Sequence, residues 1–202
     1  AFHPGEQTSW QRNIAYPRLG FDSFKCGEDM DVPQTEEHGY VSDDSDFEQI
    51  IWEFEHKDES TPLFLFNVTI QNHGSYTVED YPAEVQLADE PGAYPKAEQY
   101  LTLANKTDEA FKKLIDYFSA QTEPTILVMF GDHQPSVEQE FLDKAYGVTQ
   151  DEMTMAQYMD KFKVPFIIWA NYPLTSDSTK VTSLNFLAQY VLRNAGIETS
   201  AY

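Results

Sequence analysis

The stretch Thr125–Ser136, TILVMFGDHQPS, decides how the chain is read. Ile126 to Phe130 form an unbroken apolar run that stops at Gly131 and delivers Asp132, His133, Gln134 and Pro135. A short apolar run bounded by turn residues reads as a fully buried strand. A second such run is VPFIIWA (164–170), and a third lies inside TPLFLFNVTIQNHG (61–74), from Leu63 to Ile70.

Helical patterns alternate with these strands. SWQRNIAYPRLGF (9–21) opens on a Ser able to cap a short helix, with Gly20 at its end. In VSDDSDFEQIIWEFEHK (41–57), Ser42, Asp43 and Asp44 are cap candidates, and Phe47, Ile50, Ile51 and Phe54 make an apolar stripe. The longest pattern, KAEQYLTLANKTDEAFKKLIDYFSAQ (96–121), puts Leu103, Thr107, Ala110, Phe111, Leu114 and Phe118 on one face. SVEQEFLDKAYG (136–147) suggests a short helix stopped by Gly147. SLNFLAQYVLRNAGI (183–197) suggests a last one, with Leu184, Leu187, Ala188, Val191 and Leu192 inward and Gly196 at the stop. The Pro-, Gly- and acid-rich segment 79–95 reads as loop. Apolar strands alternating with helices predict an α/β fold with a mainly parallel sheet covered on both faces.

Length and composition set limits. The chain has 202 residues, a one-domain length, and 41% hydrophobic residues, enough for a packed core. Thirteen Lys and Arg against 34 Asp and Glu give a net charge of −21, a field that repels nucleic acid. A local metal can still reverse that sign at an anion site. Cys26 is the single cysteine, so it has no intramolecular partner and reads as a plain thiol. No apolar run approaches the ~20 residues of a membrane span. Of two sequons, Asn67-Val68-Thr69 falls inside an apolar segment and reads as chance.

In open α/β sheets ligands bind beyond the carboxyl ends of the strands. There stand His73, in QNHGSYT, and Asp132 with His133, in GDHQPS. Gly131 lets the chain turn as it leaves the strand, so that Asp132 and His133 converge. A carboxylate with an imidazole suits Mn²⁺ or Zn²⁺ better than Ca²⁺, although two ligands are too few for a complete site. The plainer reading is that Asp132 caps the following turn and His133 rests in the loop. His38 and His56 read as solvated bystanders.

FHPGEQTSWQRNIAYPRLGFDSF, LFLFNVTIQNHGSYT, QYLTLANKTDEAFKKLIDYF and TILVMFGDHQPS follow one another in this order. Together they resemble the C-terminal half of the catalytic domain of the lipoteichoic acid synthase / phosphoglycerol transferase family. These are sulfatase-like enzymes of the alkaline phosphatase superfamily. The tail VPFIIWANYP and SLNFLAQYVLRNAGIETSAY resembles that family's closing strand and helix, so the resemblance covers nearly the whole chain. It implies a three-layer α/β sandwich on the outer face of the cell membrane. It also implies transfer of glycerol phosphate from a phospholipid donor to a cell-surface glycan or polymer. The cofactor implied is one divalent metal, Mn²⁺ foremost, with Mg²⁺ or Zn²⁺ as alternatives.

Residue by residue, the resemblance makes Asp132 and His133 metal ligands. It makes Trp10 and Arg12 the pair that holds the glycerol phosphate, and His73 a catalytic residue that contacts the phosphate or the leaving group. His3 matches a family histidine without an assigned role. The chemistry agrees: an Arg fork holds phosphate through two parallel bonds, an indole packs on a glyceryl group, and a His can protonate an alkoxide. Without the resemblance, Trp10 and Arg12 read as an aromatic packed under a short helix beside a surface Arg.

The family's nucleophilic Thr and its acidic metal ligand have no counterpart motif in residues 1–202. The expectation is an incomplete sulfatase-like domain, the C-terminal part of a longer enzyme attached to the membrane through an N-terminal region. By itself it should show no turnover, weak metal affinity, and marginal stability or self-association through an open strand edge. Two alternatives stand beside the transferase: a sulfatase or phosphodiesterase that passes the group to water, and a non-catalytic module that binds anions or glycans.

Overall fold

The computed structural model describes residues 1–79, 81–174 and 181–198; the tail 199–202 of the last family-like stretch lies outside them. Two compact units appear, Ala1–Leu114 with Pro135–Glu152, and Ile115–Gln134 with Met153–Tyr202.

The first unit opens with β1 (Phe2–His3), helix α1 (Arg12–Arg18) and β2 (Lys25–Cys26), and β1 pairs with β2 in parallel. Phe2 also bridges Asn67 in parallel, through Phe2 N–H to Phe66 O at 2.9 Å and Val68 N–H to Phe2 O at 3.2 Å. The expected strand over 63–70 is thus held at one point rather than along a ladder. Its partner β1 ends at His3, and the next residue, Pro4, has no N–H to continue the pairing. β3 (Glu36–Glu37) and β4 (Tyr40–Val41) form an antiparallel hairpin.

Helix α2 (Asp43–His56) starts where its cap signal predicts, with Ser42 Oγ accepting from Ser45 N–H. Its buried face differs from the expected stripe. Phe47 is buried, but Ile50, Ile51 and Phe54 are only half-buried, while Asp43, Ser45, Asp46 and Gln49 are fully inside. Helix α3 (Pro95–Ser119) follows its periodicity more closely: Leu103, Thr107, Ala110, Leu114 and Phe118 are buried, and Phe111 meets Phe47 edge-on. The start of α3 is capped from far away. Glu138 accepts from Lys96 N–H at 2.8 Å and Ala97 N–H at 3.0 Å. The loop before α3 is organised by the buried Glu98, which accepts from Leu87 N–H and Gly92 N–H. Asn67 Nδ2 donates to the Asp46 carboxylate, while its Oδ1 is buried without a partner.

The second unit holds β5 (Ile126–Phe130). Helix α4 (Gln139–Tyr146), closed by Gly147 in the left-handed region, returns to the first unit. Helix α5 (Met155–Asp160) and β6 (Phe166–Ala170) complete the second unit with α6 (Leu184–Asn194). β5 and β6 pair antiparallel, from Ile126 opposite Ala170 to Phe130 opposite Phe166. A parallel neighbour needs a crossover in the same unit, and this connection is not one: α4 belongs elsewhere and only the short α5 remains. The full burial expected of these strands is not met either. Phe130 is 38% and Ile167 49% exposed, because a two-stranded ladder cannot cover both of its own faces. In α6, Leu187 is buried and Val191 and Leu192 half-buried, but Leu184 is 60% exposed and Ala188 exposed. Among the described residues no helix is long and apolar enough to cross a membrane.

Candidate functional site

At the end of β5, Asp132 and His133 converge. Asp132 Oδ2 lies 3.5 Å from His133 Nε2, and both side chains are exposed. Asp132 Oδ1 accepts from His133 N–H at 2.9 Å, which fixes the turn and leaves Oδ2 free. The capping reading and the ligand reading therefore apply to different oxygens of one carboxylate. His133 Nδ1–H donates to Gln134 O at 2.8 Å, so the Nε2 lone pair is the one presented outward. Two ligand atoms on one tetrahedral metal stand about 3.4 Å apart, so the observed spacing fits a shared cation. No group of three or more His, Cys, Asp and Glu able to hold a metal occurs among the described residues.

Gly131 has a different job from the one its sequence suggests. Its φ is not in the left-handed region. A Cβ there would stand 3.3 Å from Val164 Cβ, where Gly131 N–H bonds Pro165 O. Close approach to the strand entering β6, rather than turning freedom, is what favours glycine here.

Trp10 and Arg12 sit at the entrance to α1. Trp10 (φ 58°) and Gln11 (φ 53°) are both left-handed, a conformation that costs a non-glycine residue about 1–3 kcal/mol. The consequence is exposure: Trp10 is 83% accessible, so its indole lies outside rather than packed under the helix. Arg12 Nη1 donates to Ser9 O at 3.2 Å, which braces the loop. His3 is buried, and its Nδ1–H donates to Val68 O at 2.6 Å. Burial pushes its pKa down, against the raising effect of that bond, and the Arg12 charge lowers it further. Gly5 makes room for the ring, since a Cβ there would lie 2.7 Å from His3 Nε2. His3 and Phe2 thus tie the segment carrying Trp10 and Arg12 to the segment leading to His73. Among the described hydrogen bonds, none joins Arg12 to His73.

His73 is exposed, and its Nδ1–H donates to Gly74 O at 2.6 Å. A carbonyl can only accept, so in the neutral ring Nε2 carries the free lone pair. Tyr40 stands edge-on to it at 5.8 Å. Tyr40 also neighbours His38, whose ring lies among Tyr40, Tyr76 and Tyr81 with both nitrogens buried and unpartnered. His38 is therefore not the solvated bystander its acidic surroundings suggest. His56 is exposed, stacked on Trp52 at 4.0 Å.

Sequence reasoning missed the buried acids. Asp43 and Asp46 are fully enclosed, and Asp43 Oδ1 and Asp46 Oδ2 lack hydrogen-bond partners. Burial raises the Asp43 carboxyl to about 6, against hydrogen bonds that lower it. Burial also raises Asp46 well above the carboxylate range, and the neighbouring Asp43 adds to that. The available signal was their spacing: acids three apart share a helix face. Position at the helix start made Asp43 look like a cap, and Asp46 drew no notice.

A family model described as Sulfatase matches residues 1–197. A protein of Rhizobium meliloti (strain 1021) named for cyclic beta-1,2-glucan modification is 28% identical over 211 residues, covering 100% of this chain and 32% of that protein. The lipoteichoic acid synthase-like YvgJ of Bacillus subtilis (strain 168) is 28% identical over 171 residues, 83% of this chain and 27% of its own length. Among solved structures, Streptococcus pyogenes phosphoglycerol transferase GacH in complex with sn-glycerol-1-phosphate matches with a TM-score of 0.78 at 19% identity, over 98% of this chain and 50% of that one. At that identity the likeness shows the fold, which is α/β and sulfatase-like. The chain spans about a third or less of the length of these curated relatives, and half of the GacH chain.

Proposed function

The chain belongs to the sulfatase family, and on that premise we propose that residues 1–202 form the C-terminal part of a phosphoglycerol transferase domain. The reaction is transfer of glycerol phosphate from a phospholipid donor to a glycan or polymer at the outer face of the cell membrane. The observation that supports this most directly is the convergence of Asp132 Oδ2 and His133 Nε2 at the end of β5. These two residues hold one divalent cation, Mn²⁺ foremost, with ligands from outside this chain completing the set. When bound, the metal supplies positive charge that stabilises phosphoryl oxygens.

The remaining roles belong to this chain's own side chains. Arg12 offers its guanidinium fork to the phosphate of the donor. Trp10, held outward by its left-handed backbone, packs against the glyceryl group. His73 Nε2, the atom left free by the Nδ1–H bond to Gly74 O, donates its proton to the departing alkoxide from the imidazolium form and is left as the neutral Nδ1–H ring. Burial favours the neutral form of His3, and it acts as a brace between segments.

The test uses the full-length protein with a labelled glycerophospholipid and a glycan acceptor. Transfer should depend on acceptor, and Asp132→Ala or His133→Ala should lower it at least 100-fold with loss of metal retention. Release of free glycerol phosphate irrespective of acceptor would replace the transferase with a hydrolase of the same family. Unchanged turnover and metal content in both variants would remove the proposed metal role.

A further inference from the structure

Thr107 lies in the middle of α3, far along the chain from His73, and nothing above gives its hydroxyl a task. It is buried, and four polar groups converge on it. Its Oγ1 is 2.6 Å from Asp43 Oδ2 and 3.1 Å from Leu103 O, both acceptors for its single proton. Its lone pairs face Asn72 Nδ2 at 2.8 Å and Gln71 Nε2 at 3.1 Å. One donor and two acceptor positions are all a hydroxyl has, so this one is fully used. Gln71 completes the arrangement: its Nε2 also donates to Leu103 O at 3.1 Å, and its Oε1 accepts from Asp43 N–H at 2.9 Å. The two residues immediately before His73 are thereby fastened to both α2 and α3.

The bonds that follow continue the clamp. His73 N–H bonds Ile70 O at 2.9 Å, and Tyr76 Oη–H donates to Asn72 O at 2.7 Å. The His73 ring itself is exposed; its own contacts are the Nδ1–H bond to Gly74 O and the edge of Tyr40. Where the backbone carries that ring is set by residues 71 and 72, which precede it. Gln71 cannot slip cheaply, because its displaced amide would be left buried without a partner, and the half-buried Asn72 is bound to it along the chain.

We propose that Thr107 is a positioning residue for His73, acting through Gln71 and Asn72. The consequence for turnover rests on the catalytic role proposed for His73; the anchoring itself does not. An isosteric Val at 107 keeps the volume but leaves Asn72 Nδ2 and Asp43 Oδ2 without this partner, so the turn loosens while the apolar packing stays. A misplacement of about 1 Å in a reacting group can cost about 100-fold in rate.

The experiment uses the full-length protein and compares Thr107→Val, Thr107→Ser and Asn72→Ala with Leu114→Ala. The last is a cavity variant on the same helix that destabilises without touching the network. Imidazole ¹⁵N spectra should show a single Nδ1–H tautomer for neutral His73 in the wild type and in Thr107→Ser and Leu114→Ala. They should show a tautomer mixture in Thr107→Val and a smaller change in Asn72→Ala, which removes only one half-buried spoke and tests the idea even where Thr107→Val folds poorly. Turnover should follow: kcat down about tenfold or more in Thr107→Val with KM within about twofold, and near wild type in Thr107→Ser. An unchanged His73 spectrum in both Thr107→Val and Asn72→Ala overturns the anchoring. So does a loss of kcat in Leu114→Ala that matches Thr107→Val at equal loss of Tm. Wild-type turnover in His73→Gln would instead overturn the catalytic role of His73, with the spectra still deciding the anchor.

Discussion

Asp43 shows how one side chain ties stability to pH. Its carboxyl is raised to about 6 by burial, so in the range between its unfolded value near 4 and that figure the folded chain holds a proton that the unfolded chain releases. The stability associated with this protonation is fully present below pH 4 and is lost as pH rises through 6. Its size is about 3 kcal/mol. Asp43→Asn should remove that slope, so its stability relative to the wild type should rise between pH 4 and 6.5 and level off above. Paired denaturant titrations at several pH values measure it, and parallel curves would refute it. Asp132 and His133 were legible in the sequence because both their partnership and its place, a strand end, are local. The burial of Asp43 was not, because its partner Thr107 is 64 residues away.

At the scale of elements, periodicity predicted α3 well, and the structure adds what holds its beginning. Glu138, the residue before α4, accepts from the Lys96 and Ala97 N–H groups with both oxygens. A carboxylate there satisfies two orphan donors and complements the positive end of the helix dipole. Glu138→Ala should destabilise the protein by about 1–2 kcal/mol, and hydrogen exchange at Lys96 and Ala97 should accelerate. Unchanged protection at those amides would show that the cap contributes nothing. The α2 stripe failed for the opposite reason. Phe47, Ile50, Ile51 and Phe54 are correctly spaced, but the neighbours of α2 present amides and hydroxyls such as Gln71, Asn67 and Thr107, and these draw its polar face inward. Spacing reports which residues share a face, not what that face meets.

For the whole molecule, exposed Phe130 and Ile167 on a two-stranded ladder, together with Trp10 and Leu184, give a chain with much open apolar surface. Its net charge of −21 opposes association by mutual repulsion. Residues 1–202 alone should therefore self-associate increasingly as salt screens that charge, which light scattering across an ionic-strength series would register. A salt-independent monomer with a cooperative melt at high temperature would count against it. The amino-acid sequence by itself determined α2, α3, α4 and α6, the strands β5 and β6, the stop at Gly147, the α/β class and the placing of Asp132 beside His133 at the end of β5. Each of these follows from residues within a few positions of one another, where side-chain spacing and turn preference act directly. Only the tertiary structure decided that β5 and β6 run antiparallel, that Gly131 serves a close approach, and that Asp43, Gln71, Asn72 and Thr107 meet beneath His73. Those outcomes depend on which distant segments come into contact, and a contact across tens of residues leaves no periodic trace in the chain that makes it.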